Sequence, residues 1–411
     1  MSKKVLISNF LSLSVLQVFS YALPLLTLPY LVKVLTPSYY GLISFSQSIA
    51  VFLFIIVDFG FNFSAVRQIA SYQNNIKKLI EIFSSVMLIK TILLLFSFFL
   101  LVLIITIFQK FEENKYVYFL SFLYVVGQAY FPSWFFQGIE KMKFITFINV
   151  CIKISFTLLI FIFVKTEQDF YLVPIFNGIG FCIAAIVAIY IIRLKFKISF
   201  EFQKIKTILV YFFDSWKYFL SNISVNLYSN ANTFFLGLVT TNTIVGYYSM
   251  AEQLYKAMVA FFGPISTALY PYMTRTKDIS LYRKILLYIF VLCFFILMGL
   301  LYLDDFILTL FYRIEINILV IRLFDLFSFL FIIATISCML GYPFLGALGY
   351  VEEANNSIIF GAVLHMISIL FLYVTYSISP INIMIATLIT EIFILVYRVF
   401  YSYKLVYKER F

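Results

Sequence analysis

The chain has 411 residues, of which 63% are hydrophobic and only 12% charged, and its formal net charge is +11. A soluble protein of this length needs far more polar surface, whereas helix faces turned to lipid can be as apolar as a core. The positive charge does not point to nucleic acid, because the basic residues sit in short clusters between long apolar runs, which is a topology signal.

Met1-Ser2-Lys3-Lys4 has the look of a signal-peptide start, yet the apolar stretch behind it runs to Leu35 without a small-residue cleavage site, so it reads as a retained first span. Windows of about 20 apolar residues recur twelve times. They lie near 7–31, 39–63, 80–108, 116–137, 143–164, 170–192, 209–237, 243–270, 285–303, 318–346, 355–378 and 380–402. The tenth is interrupted most, with Arg322 and Asp325 at its start and Gly341, Pro343, Gly346 and Gly349 at its end.

With the N-terminus inside, 20 of the 30 Lys and Arg fall on the cytoplasmic side, Arg398 among them, against 6 outside and 4 within spans. That bias predicts a multi-pass membrane protein with both termini in the cytoplasm. The expected fold is an all-α integral membrane protein, twelve transmembrane helices in two six-helix bundles around a central cavity. The basic stretch from Arg193 to Thr207 reads as the linker, giving bundles at 1–197 and 198–411. A weak repeat agrees: Tyr40-Gly41 to Gln47 opens span two and Gly246-Tyr247-Tyr248 to Gln253 opens span eight, the glutamines 206 residues apart.

Chemistry is sparse. There is no phosphate-binding Gly-rich loop, and His365 is the lone histidine, better read as a hydrogen-bonded core residue than as a proton relay. Glu112-Glu113, Asp304-Asp305 and Glu352-Glu353 lie in loops without metal ligands, and the four cysteines stand alone in apolar runs. No enzyme active site and no cofactor are expected.

Polar residues at membrane depth are the remaining signal, because each must face a cavity or a partner. Span one carries Asn9, Ser12, Gln17, Ser20 and Thr27; span two carries Ser44, Gln47 and Asp58 on one helical face. Span seven carries Lys217, Asn222, Asn226, Ser229, Asn230 and Thr233, and span eight Glu252, Gln253 and Lys256. The strips could equally be hydrogen-bonded helix seams, Lys217 could snorkel to the interface, and Glu252 could simply neutralise Lys256. Lys90, Lys153, Lys217 and Lys256 leave the interior slightly basic, favouring an anionic substrate such as a phosphate, a pyrophosphate or an acidic sugar. Together with Gln17, Gln47, Asn222, Asn226 and Arg67, they are the candidate substrate-binding residues.

Three stretches resemble the polysaccharide (O-antigen repeat unit, Wzx-type) flippases of the multidrug/oligosaccharidyl-lipid/polysaccharide exporter superfamily. They are Pro24 to Leu35 with Tyr39-Tyr40-Gly41, Asp58-Phe59-Gly60-Phe61-Asn62 with Arg67, and Pro132-Ser133-Trp134-Phe135-Phe136-Gln137-Gly138 to Met142. Lys33 and Thr36-Pro37 depart from that pattern at a loop. The resemblance implies alternating access and a polyprenyl-pyrophosphate-linked oligosaccharide passing from the cytoplasmic to the periplasmic leaflet. It also implies membrane lipid, a polysaccharide polymerase and a chain-length regulator as partners, and ion coupling through Asp58, Glu252 or Glu391. A cation-coupled drug exporter would want an acidic cavity, and a polymerase of the same pathway a long external loop.

Overall fold

A computed structural model describes residues 3–408, with the side chains of 3–8, 10, 11, 13, 221, 224, 225, 227–230 and 406–408 outside the description. The structure is all-helical, with no strand among the described residues. This follows from the composition: in hydrocarbon each backbone N–H and C=O must be satisfied internally, and a helix does so within one segment.

Fourteen α-helices follow in order: α1 (Lys3–Asp58), α2 (Phe61–Ser71), α3 (Ile76–Ile107), α4 (Lys115–Tyr130), α5 (Ser133–Gly138), α6 (Met142–Phe163), α7 (Leu172–Phe196), α8 (Ile205–Val239), α9 (Asn242–Thr276), α10 (Ile279–Tyr302), α11 (Asp304–Tyr312), α12 (Ile318–Met339), α13 (Val351–Val374) and α14 (Pro380–Lys408). Among the described residues eight helices are long and apolar enough to cross a membrane, so this is a multi-pass membrane protein.

Departures from the expected spans occur where the helices break. The first two windows form one 56-residue helix, bent at Thr36 (φ 62°, ψ 159°) just before Pro37. The second window closes at Phe59-Gly60, both with positive φ, before α2 begins. The fourth is split by Phe131-Pro132 into α4 and the short α5. The tenth ends in a π-helical segment, Leu340–Gly346, around Pro343.

The chain divides into two compact units, Met1–Thr27 with Val34–Asn226, and Leu28–Lys33 with Leu227–Phe411. In the first, α4 and α7 approach closely at two glycines, one on each helix. A Cβ on Gly127 would lie 2.5 Å from the Phe181 backbone, and one on Gly178 2.4 Å from Leu123 Cβ, so only glycine permits this approach. The core around α2, α3 and α5 is aromatic, with Phe61, Trp134, Phe135 and Phe136 wholly buried.

In the second unit, α14 carries Arg398, expected in a cytoplasmic loop but found buried in the helix. Its guanidinium donates from Nη1 to the Ser337 carbonyl at 2.6 Å and from Nε to Ser357 Oγ at 2.9 Å. Ser337 lies just ahead of the π segment, where the helix ladder is disturbed, and a buried arginine supplies the donors. A Cβ on Gly341 would come within 2.9 Å of that guanidinium.

Gly178→Val should therefore lower the melting temperature of the purified protein, at a cost of roughly 1–3 kcal/mol from overpacking. Gly299→Ala, where an added Cβ meets nothing within 4 Å, should leave it unchanged or slightly higher. Thermal melts of both variants in one detergent check this; equal melts would mean that α4 and α7 are not locked together.

Candidate functional site

The first unit holds a partly open cavity of about 420 Å³, within the range of small-molecule sites. Each wall presents residues one helical turn apart. The first half of α1 gives Ser20, Pro24 and Thr27; α4 gives Tyr124 and Gln128; α6 gives Asn149, Lys153 and Thr157; α7 gives Asn177 and Phe181; and Ser133 opens α5. Phe131 and Phe156 close the apolar parts of the wall.

Lys153 is the cation of this cavity, and no carboxylate lines it among the described residues. Its Nζ donates to Ser20 Oγ at 2.8 Å, and Ser20 passes its own hydrogen to the Leu16 carbonyl at 2.6 Å. An ammonium has three donors, so two remain for a ligand. No acid lies within ion-pair distance of Lys153 among the described residues. A lysine at membrane depth costs about 2.5–3.5 kcal/mol on insertion scales, and an anionic ligand would offset that cost. On another wall Asn177 Nδ2 donates to Gln47 Oε1 at 3.3 Å, so Gln47 stands behind the lining amide.

Two of the three stretches that carry the family resemblance put residues on the cavity wall, and the remaining one is tied to it through a hydrogen bond. Pro24 and Thr27 line the cavity. Asp58-Phe59-Gly60-Phe61-Asn62 makes the turn between α1 and α2: Gly60 adopts φ 77°, and a Cβ there would lie 2.7 Å from Tyr218 and Phe219. Phe59 stacks on Phe212 and Phe219 at 4.5 and 4.6 Å. Asn62 then reaches Ser133 of the third stretch, and a Cβ on Gly138 would meet Ile69 at 2.6 Å, so α5 lies tight against α2.

The other candidates are placed elsewhere. Lys90 is sealed in the core, 1% exposed, and its Nζ lies 3.1 Å from Asp58 Oδ1, itself 2% exposed. A candidate substrate lysine and a candidate coupling acid are thus joined in one ion pair. Arg67 is half-exposed and grips Asp214 with both carboxylate oxygens, at 2.8 and 2.9 Å; Gln17 is half-buried on α1 and Lys217 exposed on α8. In α8, Asn226 Nδ2 donates to the side chain of Asn222 at 2.9 Å, while Ser229 and Asn230 lie outside the described side chains.

In the second unit, Glu252 accepts from Lys256 at 3.1 Å and from Thr233 at 3.2 Å, and Glu391 is half-buried on α14. There Asn232 donates to Tyr248 and Thr387, while its carbonyl oxygen faces the wholly buried His365 at 2.9 Å.

Asn149, Thr157, Gln128 and Asn177 line the cavity without having been singled out in the sequence, where Ser133 stands only as part of the third stretch. The four-residue spacing of Asn149, Lys153 and Thr157 is the one sequence signal that points to them.

Residues 6–277 match the model of the family described as polysaccharide biosynthesis protein. The chain belongs to that family. The match spans all three stretches on which the resemblance rests. A protein of Escherichia coli (strain K12) named as an O-antigen transporter is 28% identical over 282 residues, 68% of this chain and 67% of that one. A Shigella dysenteriae protein of the same name is 26% identical over 280 residues, 68% of this chain and 70% of its own. Among solved structures, the lipid II flippase MurJ in an inward closed conformation superposes with a TM-score of 0.65 at 16% identity, covering 97% of this chain and 87% of its own. An inward-facing multidrug MATE transporter of the MOP superfamily gives 0.66 at 14% identity, covering 96% and 98%. These two establish a shared fold. The relatives are transporters, not enzymes.

Breaking the buried pair by Asp58→Asn should destabilise the protein by about 3–5 kcal/mol, because Lys90 is left charged and alone in the core. Adding Lys90→Met should recover most of the loss. A double-mutant cycle on thermal or denaturant unfolding measures the coupling, and additive losses would contradict a direct pair.

Proposed function

We propose that this protein is a flippase of polysaccharide assembly. It carries polyprenyl-pyrophosphate-linked oligosaccharide repeat units from the cytoplasmic to the periplasmic leaflet of the inner membrane, for O-antigen or capsule synthesis. The observation that carries this reading is a cavity lined by one lysine, several amides and hydroxyls and no acid, inside a chain of the polysaccharide biosynthesis family. A lone ammonium in a low-dielectric cavity attracts an anion strongly. Amides and hydroxyls suit sugar hydroxyls, and Tyr124, Phe156 and Phe181 give a sugar ring its apolar face. A cationic drug would find no carboxylate there.

In this reading the two bundles, 1–197 and 198–411, alternate access to the two sides of the membrane. Twelve crossings follow if α1 counts twice across the Thr36 bend and α4, α8 and α9 join the eight apolar spans, and both termini are then cytoplasmic. Lys153 binds the anionic part of the substrate, with Gln47 supporting Asn177. Gln17, Asn222, Asn226, Lys217, Lys256, Lys90 and Arg67 are held as further substrate contacts in other conformations of the cycle. Asp58, Glu252 and Glu391 are the acids through which an ion gradient would act. A polymerase and a chain-length regulator act on the delivered repeat units.

Deleting the gene should abolish surface polymer and leave single repeat units on lipid, shielded on the cytoplasmic face. Unpolymerised units reaching the outer face would instead indicate a polymerase. Complementation with Lys153→Ala should restore less than about a tenth of the surface polymer at normal protein level, as expected for losing a charged contact. Lys153→Arg should restore an intermediate amount. Full restoration by the alanine variant would remove Lys153 from the site.

A further inference from the structure

Ser133 stands at the cavity wall as the first residue of α5, and its hydroxyl has a single hydrogen to give. Where that hydrogen points is decided at the far end of a chain of groups. Lys90 can only donate and the ionised Asp58 can only accept, and the two are 3.1 Å apart in the core. Asn62 Nδ2 lies 2.9 Å from the same Asp58 oxygen, so Asn62 must turn its NH₂ group to the carboxylate. Its carbonyl oxygen is left facing Ser133 Oγ at 3.1 Å. Ser133 must then donate to Asn62, and towards the cavity it presents lone pairs alone.

We propose that Ser133 is a specificity-determining residue that accepts a hydrogen bond from one hydroxyl or amide N–H of the carried sugar. Asn62, Asp58 and Lys90 are the positioning residues that fix its polarity. This assigns work to a buried ion pair that does not itself reach the cavity. It also complements Lys153, whose two remaining donors on another wall meet an anion while Ser133 meets a donor. A bare serine could serve either way, as donor or acceptor; the chain behind this one removes the choice. The inference rests on the transport reading above.

The test uses the full-length protein in nanodiscs and a short-chain polyprenyl pyrophosphate carrying N-acetylhexosamine. Beside it stands a set of analogues in which one hydroxyl, or the acetamido group, is replaced by hydrogen. Wild type should bind one analogue about tenfold more weakly than the parent, the effect of one lost hydrogen bond in a buried site. Ser133→Ala should bind the parent and that analogue equally, and Ser133→Thr should keep the discrimination. Asn62→Leu should lose it although the serine is intact, a result that a merely structural role for Asn62 does not produce.

Wild type that distinguishes none of the analogues, or Ser133→Ala that weakens every probe alike, overturns the assignment while the transport reading stands. Wild type that binds none of the probes refutes the transport reading, and this assignment with it.

Discussion

Inside hydrocarbon, a polar group has no water to fall back on, and every donor and acceptor must find its partner in the protein. The backbone meets this demand by being helical almost throughout. Where the helix fails, side chains take over. Arg398 supplies donors at the Ser337 carbonyl beside the π segment. At the Phe59-Gly60 turn between α1 and α2, Asn62, in the first turn of α2, ties the turn to Asp58 and to α5. At both of these places a side chain joins two helices.

The same constraint sorts the charges. A buried ion pair contributes little net stability, since desolvation cancels most of the attraction, but removing either member is costly. Lys90 with Asp58, and Lys256 with Glu252, neutralise each other's charge, and the first pair is sealed from any ligand in this conformation. Arg67 is committed to Asp214 in the same way, at a more exposed site where the pair is worth less. Of the four lysines within spans, Lys153 alone faces the cavity with two donors uncommitted. An anion-binding site emerges from what the pairing leaves over.

Much of this is legible in the amino-acid sequence. Apolar runs of the right length predict the helices, and the polar strip Ser20 and Thr27 does line the cavity. Glu252 and Lys256, four residues apart on one helix, pair as their spacing allows. What a sequence does not show is pairing across helices. Asp58 and Lys90 are 32 residues apart, and nothing in either local sequence says that one neutralises the other; each reads alone as a free functional group. Arg398 reads as a loop cation because it sits near the end of an apolar run, yet its role is to meet a carbonyl that only the folded break exposes. Asn149 and Asn177 escape notice because a single amide in an apolar helix has no pattern until a neighbouring helix turns it inward. Pro132 marks the split in the fourth span, but the proline alone does not say that the residue after it will line a site.

Polarity adds a layer that distances alone do not carry. A hydroxyl or an amide is ambiguous: each can give or take, and a cavity lined with them is chemically uncommitted. Ambiguity ends where a chain of hydrogen bonds reaches a group that can do only one thing. Lys153 forces Ser20 to accept, so the serine's hydrogen goes to the Leu16 carbonyl. Asp58 forces Asn62 to donate, so Asn62 must accept from Ser133. Ionised groups at the back of the wall thereby set the donor and acceptor pattern at its surface. A buried ion pair that adds little to stability can still determine what the cavity recognises.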